Sequence, residues 1–199
     1  MNRLERRKKQ TENTIIQSAV ELFTQKGYAQ TTMEEIAAKA DFAKGTLYNY
    51  FPDKETILIT YYQHMVSEQF IPLQESLLQI TAVEERLNQI LDSLLDSIFK
   101  NKLLANNYLL IRASSTSQGL SAGSSEILRI IFEDAQKKGE IRQDYPPELL
   151  VHNFQFLFRG YVTESLREGT LEQFKQEKKK WVALYLNGAK VKEVSSNAS

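Results

Sequence analysis

Apolar side chains recur at helical spacing along most of this chain. Ile15, Ile16, Ala19, Val20 and Phe23 fall at i, i+1, i+4, i+5 and i+8, the stripe of a helix over Gln10–Lys26 that Gly27 closes. Thr32 and Glu35 form a T-x-x-E capping box, so a second helix starts at Met33. Its stripe is Ile36, Ala37 and Ala40, and small Ala37 and Ala38 let another helix approach closely. Asp41 interrupts the pattern and Phe42 adds an apolar residue to the turn. A third helix runs over Lys44–Tyr50, with Leu47 and Phe51 inward and Lys44, Thr46, Tyr48 and Asn49 pointing elsewhere. Pro52 stops it, and Asp53 caps the next helix.

That fourth helix covers Lys54–Phe70, with Ile57, Leu58, Tyr61, Tyr62, Met65 and Val66 as apolar positions, before Pro72 bends or ends it. A fifth, Val83–Phe99, has so wide an arc of Leu and Ile that it must be buried on more than one side. A short sixth, Leu103–Arg112, precedes a Ser/Gly-rich loop at 114–125. A seventh covers Glu126–Lys138 with Gly139 as its cap, and Pro146 and Pro147 introduce an eighth over Glu148–Arg167. Gly160 inside it costs about 1 kcal/mol unless another backbone packs there. The ninth runs from Leu171 to about Leu186, with Phe174, Trp181, Val182 and Tyr185 on one stripe and the Lys178–Lys180 run opposite. The expected fold is therefore all-α with about nine helices. A three-helix domain over 1–53 precedes a larger helical domain over 54–189, and 190–199 reads as a disordered tail.

Two helices joined by a turn of three or four residues, the second short and polar outward, describe a helix-turn-helix whose second helix enters the DNA major groove. The runs T-T-M-E-E-I-A-A-K-A, K-G-T-L-Y-N-Y-F and D-K-E, in that order, resemble the DNA-binding domain of the TetR family of one-component transcriptional regulators. The resemblance covers about residues 10–58. It implies that Lys44, Gly45, Thr46 and Asn49 lie at base edges, and that Thr32, Tyr48 and Lys54 hold phosphates. Physical chemistry agrees: Gly45 permits close approach of backbone to DNA, and Lys54 places an ammonium in the first turn of a helix, where the dipole also favours phosphate. Two positions depart from the family pattern. Asp41 stands where Gly is usual in the turn, and Ala43 replaces the usual Ser or Thr cap, at a cost of about 0.5–2 kcal/mol.

Charge adds one feature. The 199 residues carry 25 basic and 25 acidic side chains, so the chain is not a generally basic nucleic-acid binder. Yet residues 1–10 hold Arg3, Arg6, Arg7, Lys8 and Lys9 against Glu5 alone, a net of +4. Such an arm can follow the phosphate backbone or enter the minor groove. Cys is absent, and apolar runs fall short of the ~18 residues a membrane span needs. A cytoplasmic protein is expected, without membrane contact. With two His and no Cys, no metal site or cofactor is expected.

The two C-terminal helices exceed what one small core needs. Their expected use is a homodimer through a four-helix bundle, with Leu157, Gly160, Trp181 and Tyr185 at the interface. The family resemblance further implies an effector pocket, for which Tyr61, Tyr62, Met65, Phe99, Tyr108, Phe154, Phe158 and Tyr161 are the candidate lining. Such a wall suits a small hydrophobic or aromatic effector, with Arg112 and His64 available for a polar or anionic group. The fourth helix follows the third almost without a linker, so its tilt moves the reading head. The function read from these features is a regulator, by family default a repressor, released from a palindromic operator by its effector. One alternative is a helix-turn-helix adaptor without an effector. A remote one is a serine hydrolase: Gly119, Ser121 and Gly123 spell G-x-S-x-G, the nucleophile-elbow motif. An elbow requires a parallel sheet and acid and His partners, and this chain offers helices, so no catalytic residue is assigned and the protein is not read as an enzyme.

Overall fold

Helices are the only regular elements among the described residues of the structure, a computed structural model that describes residues 2–70, 72–114 and 122–189. They are α1 (Arg3–Lys26), α2 (Met33–Lys39), α3 (Lys44–Tyr50), α4 (Lys54–Phe70), α5 (Gln74–Gln79), α6 (Val83–Lys100), α7 (Lys102–Ser114), α8 (Ala122–Lys137), α9 (Pro147–Glu168) and α10 (Leu171–Ala189). They form two compact units, one of residues 2–65 and 100–114, the other of 66–99 and 122–189 within the described segments.

Three differences from expectation have local causes. α1 begins at Arg3 because Asn2 and Glu5 cap it reciprocally: the Glu5 N–H donates to Asn2 Oδ1 at 2.8 Å, and the Asn2 N–H to Glu5 Oε2 at 2.7 Å. The basic segment is thus the first turns of a helix, not an extended arm. α5 is six residues long and buries Leu77 alone, too little for a periodic signal. α8 starts at Ala122, inside the expected Ser/Gly loop; Ser121 and the 190–199 tail lie outside the described residues.

In the first unit α1 packs on α2 and α2 on α3. Ile15 and Ala19 of α1, Ile36 of α2, Leu47 of α3 and Ile57 and Leu58 of α4 are fully buried, so all four helices close one core. Asn101 caps α7 by accepting from the Leu104 N–H at 3.0 Å, and its amide donates to Thr24 Oγ1 of α1 at 3.0 Å.

In the second unit α8 packs mainly on α9. Two buried cations tie α6 to its neighbours. Arg86 is fully buried; its guanidinium donates to Asp134 Oδ2 and to Glu140 Oε1, each at 2.5 Å. The second oxygen of Glu140 accepts from the Val83 N–H at 2.6 Å, so one carboxylate caps α6 and pairs with its arginine. Hydrogen bonding from Lys138 and then from Arg86 holds the Asp134 carboxyl below its ordinary range. Lys178 was expected on the outer face of the last helix. It is instead 2% exposed, paired with Asp92 and donating to the Asn88 carbonyl at 3.1 Å. Its neighbours along the buried face are Phe174, Val182 and Leu186, four residues apart in series.

Arg86 pairs with two carboxylates, so its loss takes a cation from Glu140 and leaves Asp134 with Lys138. Arg86→Met is expected to lower the free energy of unfolding by about 3 kcal/mol in urea denaturation, the lower end for breaking a buried pair, since the carboxylates keep some water contact. A loss below about 1 kcal/mol would mean that solvent replaces the arginine.

Candidate nucleic-acid interface

The α2–α3 pair is built from caps. Thr32 Oγ1 accepts from the Glu35 N–H at 3.3 Å, and the Glu35 carboxylate accepts from the Thr32 N–H at 2.9 Å. Glu35 also pairs with Lys26 of α1, and these donors depress its carboxyl to about 2. At the other end of α2 the chain reverses through a Schellman motif: the Phe42 N–H donates to the Ala37 carbonyl at 3.0 Å and the Asp41 N–H to the Ala38 carbonyl at 3.3 Å. The motif needs one left-handed residue, and Asp41 supplies it at φ 58°. Gly139 does the same job at the end of α8, at φ 73°. Asp41, where glycine was expected, thus holds a left-handed conformation that carries a Cβ penalty glycine would not have.

α3 starts without a side-chain cap, as Ala43 requires, and its Thr46 N–H donates to the Ala43 carbonyl at 2.9 Å. Leu47 and Phe51 anchor it in the core. Lys44, Gly45, Tyr48 and Asn49 are exposed and Thr46 is half-buried, so the residues expected at base edges share the solvent side of one short helix. None of the described residues lies within 4 Å of where a Cβ on Gly45 would sit. Lys44 is paired with Glu34 of α2; the pair raises the lysine pKa and lowers that of the glutamate, and at full exposure it is easily exchanged for another acceptor. Thr32 and Tyr48 are exposed.

Lys54 is placed differently from the expectation. Asp53 caps α4, accepting from the Thr56 N–H at 2.7 Å. The Lys54 ammonium turns back to donate to the carbonyls of Tyr28 at 2.9 Å, Thr31 at 3.0 Å and Ala29 at 3.3 Å. It also sits 4.6 Å from the Tyr28 ring centroid. An ammonium has three N–H donors, and in this DNA-free structure all three have carbonyl acceptors.

The residues expected to line an effector pocket divide between the two units. In the first, Tyr62 stacks on Tyr108 at 4.3 Å and meets Tyr61 edge-on at 5.1 Å. Tyr62, Tyr108 and Arg112 are buried, Met65 and His64 partly so, and His64 Nε2 lies 3.5 Å from Glu12. In the second, Phe99 packs on Phe174, and Phe154 is surrounded by Phe132, Phe158, Trp181 and Tyr185. Tyr161 lies parallel to Trp181 at 5.9 Å and donates to Glu177 at 3.1 Å. Among the expected pocket and dimer residues of α9 and α10, the aromatic ones, Phe154, Phe158, Tyr161, Trp181 and Tyr185, thus form one cluster. The Tyr185 hydroxyl donates to the Leu150 carbonyl at 2.7 Å, which fixes that ring from within the chain.

Beside this cluster a groove of about 590 Å³ opens on the α9–α10 surface, lined by Tyr145, Leu149, Leu157, Trp181, Leu184 and Tyr185 among others. Leu184 is 73% exposed, and Leu149, Phe156 and Leu157 are exposed as well. Gly160 has open space where a Cβ would sit, so among the described residues no other backbone packs there. Among the described residues no group of three or more His, Asp or Glu is placed to hold a metal, and no helix is long and apolar enough to cross a membrane.

Residues 15–60 match the family model of bacterial regulatory proteins, tetR family. The chain is 40% identical over 62 residues to an uncharacterized HTH-type transcriptional regulator, YuxN, of Bacillus subtilis, covering 31% of this chain and 21% of that protein. It is 34% identical over 73 residues to the fatty acid metabolism regulator protein of the same organism, covering 37% of this chain and 38% of that one. The chain thus spans about a fifth to two fifths of these curated relatives. Thermus thermophilus FadR, a TetR-family repressor solved in complex with lauroyl-CoA, superposes with a TM-score of 0.75 at 22% identity, covering 94% of this chain and 100% of that one. At that identity the likeness is one of fold.

The strained turn yields a stability test. Asp41→Gly is expected to raise the thermal midpoint by a few degrees, because relief of about 1–2 kcal/mol of left-handed strain exceeds the entropy glycine adds to the unfolded chain. A lowered midpoint would show that the aspartate side chain contributes more to the turn than its backbone strain costs.

Proposed function

We propose that this chain, whose residues 15–60 match the tetR family model, is a transcriptional repressor that reads a palindromic operator with α3 and is released by a small hydrophobic or aromatic effector. The observation that carries this reading is the solvent face of α3, where Lys44, Gly45, Thr46 and Asn49 stand together over the buried anchors Leu47 and Phe51. Lysine pairs with guanine O6 and N7, and asparagine with adenine N6 and N7, so the face carries chemistry for two kinds of base pair. Thr32 and Tyr48 flank it at positions suited to phosphates, and the basic first turns of α1 add charge that can follow the backbone.

A homodimer supplies the two-fold symmetry of a palindrome. We assign its interface to the α9–α10 face, where exposed Leu149, Leu157 and Leu184 border Trp181 and Tyr185 and Gly160 leaves room for a second backbone. A four-helix bundle there would set two recognition helices about 34–36 Å apart, one turn of DNA. Residues 54–189 form the effector-binding and dimerisation portion in this reading. The first effector to test is an acyl-CoA, whose hydrophobic chain is joined to an anionic head, because the FadR likeness was solved with lauroyl-CoA and a relative is named a fatty acid metabolism regulator. The effector acts by selection: it favours a conformer, including the orientation of α4, that no longer fits both half-sites.

Fluorescence anisotropy on DNA flanking the gene, with unrelated DNA as control, tests the reading. Lys44→Ala is expected to weaken specific binding by about 1–3 kcal/mol and to relax base preference, and lauroyl-CoA to dissociate the wild-type complex. Equal affinity of wild type and Lys44→Ala for every DNA would contradict base reading by α3. In sedimentation, Leu184→Glu is expected to convert a dimer to a folded monomer with reduced operator affinity; an unchanged dimer would move the interface elsewhere.

A further inference from the structure

We infer that Glu34 is a specificity-determining residue of the reading head: it cancels the charge of Lys44, so that this lysine serves recognition of a base sequence and not attraction for DNA in general. The inference rests on the DNA-binding reading above and gives a role to a carboxylate which that reading leaves unused.

Three observations carry it. First, Glu34 stands in the first turn of α2, two residues after Thr32, and Lys44 opens α3. Their side chains, 53% and 59% exposed, meet on the solvent side of the two helices. The other ion pairs of α2, Glu35 with Lys26 and Lys39 with Glu21, run to α1, whereas this one runs to the helix proposed to read DNA. An exposed pair adds little to folding stability, so its consequence lies in how its charges meet DNA.

Second, cations are sparse around it. Lys44 is the sole basic residue of 40–53, and over 33–50 Lys39 and Lys44 stand against Glu34, Glu35 and Asp41, a net of −1. The cations available to any phosphate backbone lie outside that stretch, at Lys54 and in the first turns of α1, where Arg3, Arg6, Arg7, Lys8 and Lys9 are exposed. Sequence-independent affinity follows the number of phosphates a protein neutralises. The Glu34–Lys44 pair, neutral as a unit, adds nothing to that number.

Third, cancelling the charge spares the hydrogen-bonding capacity. An ammonium has three donors, and the Glu34 carboxylate takes one. Two remain, the number that guanine O6 and N7 accept. The pair need not open for Lys44 to read a base, and it holds a flexible side chain where the reading is done. Without Glu34 the same ammonium is an unshared positive charge at the DNA surface, served equally by any phosphate.

The test uses the full chain as wild type, Glu34→Gln, Glu34→Asp, Lys44→Ala and the Glu34→Gln, Lys44→Ala double variant. Anisotropy is measured on operator and on unrelated DNA across a salt series. Glu34→Gln keeps the shape of an exposed side chain and removes its charge. It is expected to bind unrelated DNA about threefold more tightly, in the range of one exposed charge pair. Its slope of log K against log salt on that DNA is expected to steepen by up to about 0.9, one further phosphate neutralised. The operator gains less, so the ratio of operator to unrelated affinity falls by about twofold or more. In the Lys44→Ala background the same change leaves the ratio where it was, because Glu34 acts through the lysine. Glu34→Asp retains a carboxylate and suits the start of a helix, so its slope stays at the wild-type value.

An equal gain on both DNAs, the same fall in ratio without Lys44, or a steepened slope in Glu34→Asp would overturn the inference. So would a loss confined to the operator, which would make Glu34 itself a base reader, accepting from cytosine N4. Should the wild type favour no sequence, the DNA-binding reading fails and the inference falls with it; wild-type preference with an unaltered ratio in Glu34→Gln overturns the inference alone.

Discussion

A helix of seven residues does not hold itself together in water, because nucleation costs more than so few hydrogen bonds return. Both α2 and α3 are of that length, and α3 begins without a side-chain cap. Their existence depends on burial of Ile36, Leu47 and Phe51 against α1 and α4, and on fixed ends: the Thr32–Glu35 box, the Schellman turn at Asp41 and the Lys54 tie. The presentation of Lys44, Thr46 and Asn49 follows from these constraints. What faces DNA in the proposed function is the polar remainder of a helix whose apolar side has been spent on staying folded.

The second unit meets the same problem at larger scale with different means. Its helices are long enough to persist, but they must be held in register, and two buried cations supply directional links that apolar packing lacks. Arg86 joins α6 to the end of α8 through Asp134 and Glu140, and Lys178 joins α10 to α6 through Asp92 and the Asn88 carbonyl. Around them the rings of Phe132, Phe154, Phe158, Trp181 and Tyr185 fill the space between α8, α9 and α10. Of the apolar side chains left outside that cluster, Leu149, Leu157 and Leu184 line one groove on the α9–α10 surface, which favours a partner there.

The reading head was legible because its signals are local. Capping boxes, a proline stop and a four-residue apolar spacing need no knowledge of the rest of the fold, and α2, α3 and α4 begin where those signals place them. The Asn2–Glu5 box at the start of α1 had the same form and was equally readable. What was not legible came from contacts distant in sequence. Lys178 looked like part of a solvated lysine run, although its four-residue spacing from Phe174 and Val182 set it on the buried face. The carbonyl partners of Lys54 were not readable from its place at a helix start, since only the fold brings the 28–31 carbonyls within its reach. The aromatic residues shared the spacing of both a core and a cavity wall. In the second unit the rings of Phe154, Phe158 and Tyr161 pack on one another's neighbours, which is the arrangement of a core.

The central claim is that α3 reads DNA sequence. Selection of genomic fragments by the purified protein, followed by sequencing of what is retained, tests it without assuming where the operator lies. The account predicts enrichment of an inverted repeat whose half-site centres are about one or more helical turns apart. Fragments retained with no shared sequence, or none retained above background, would contradict it.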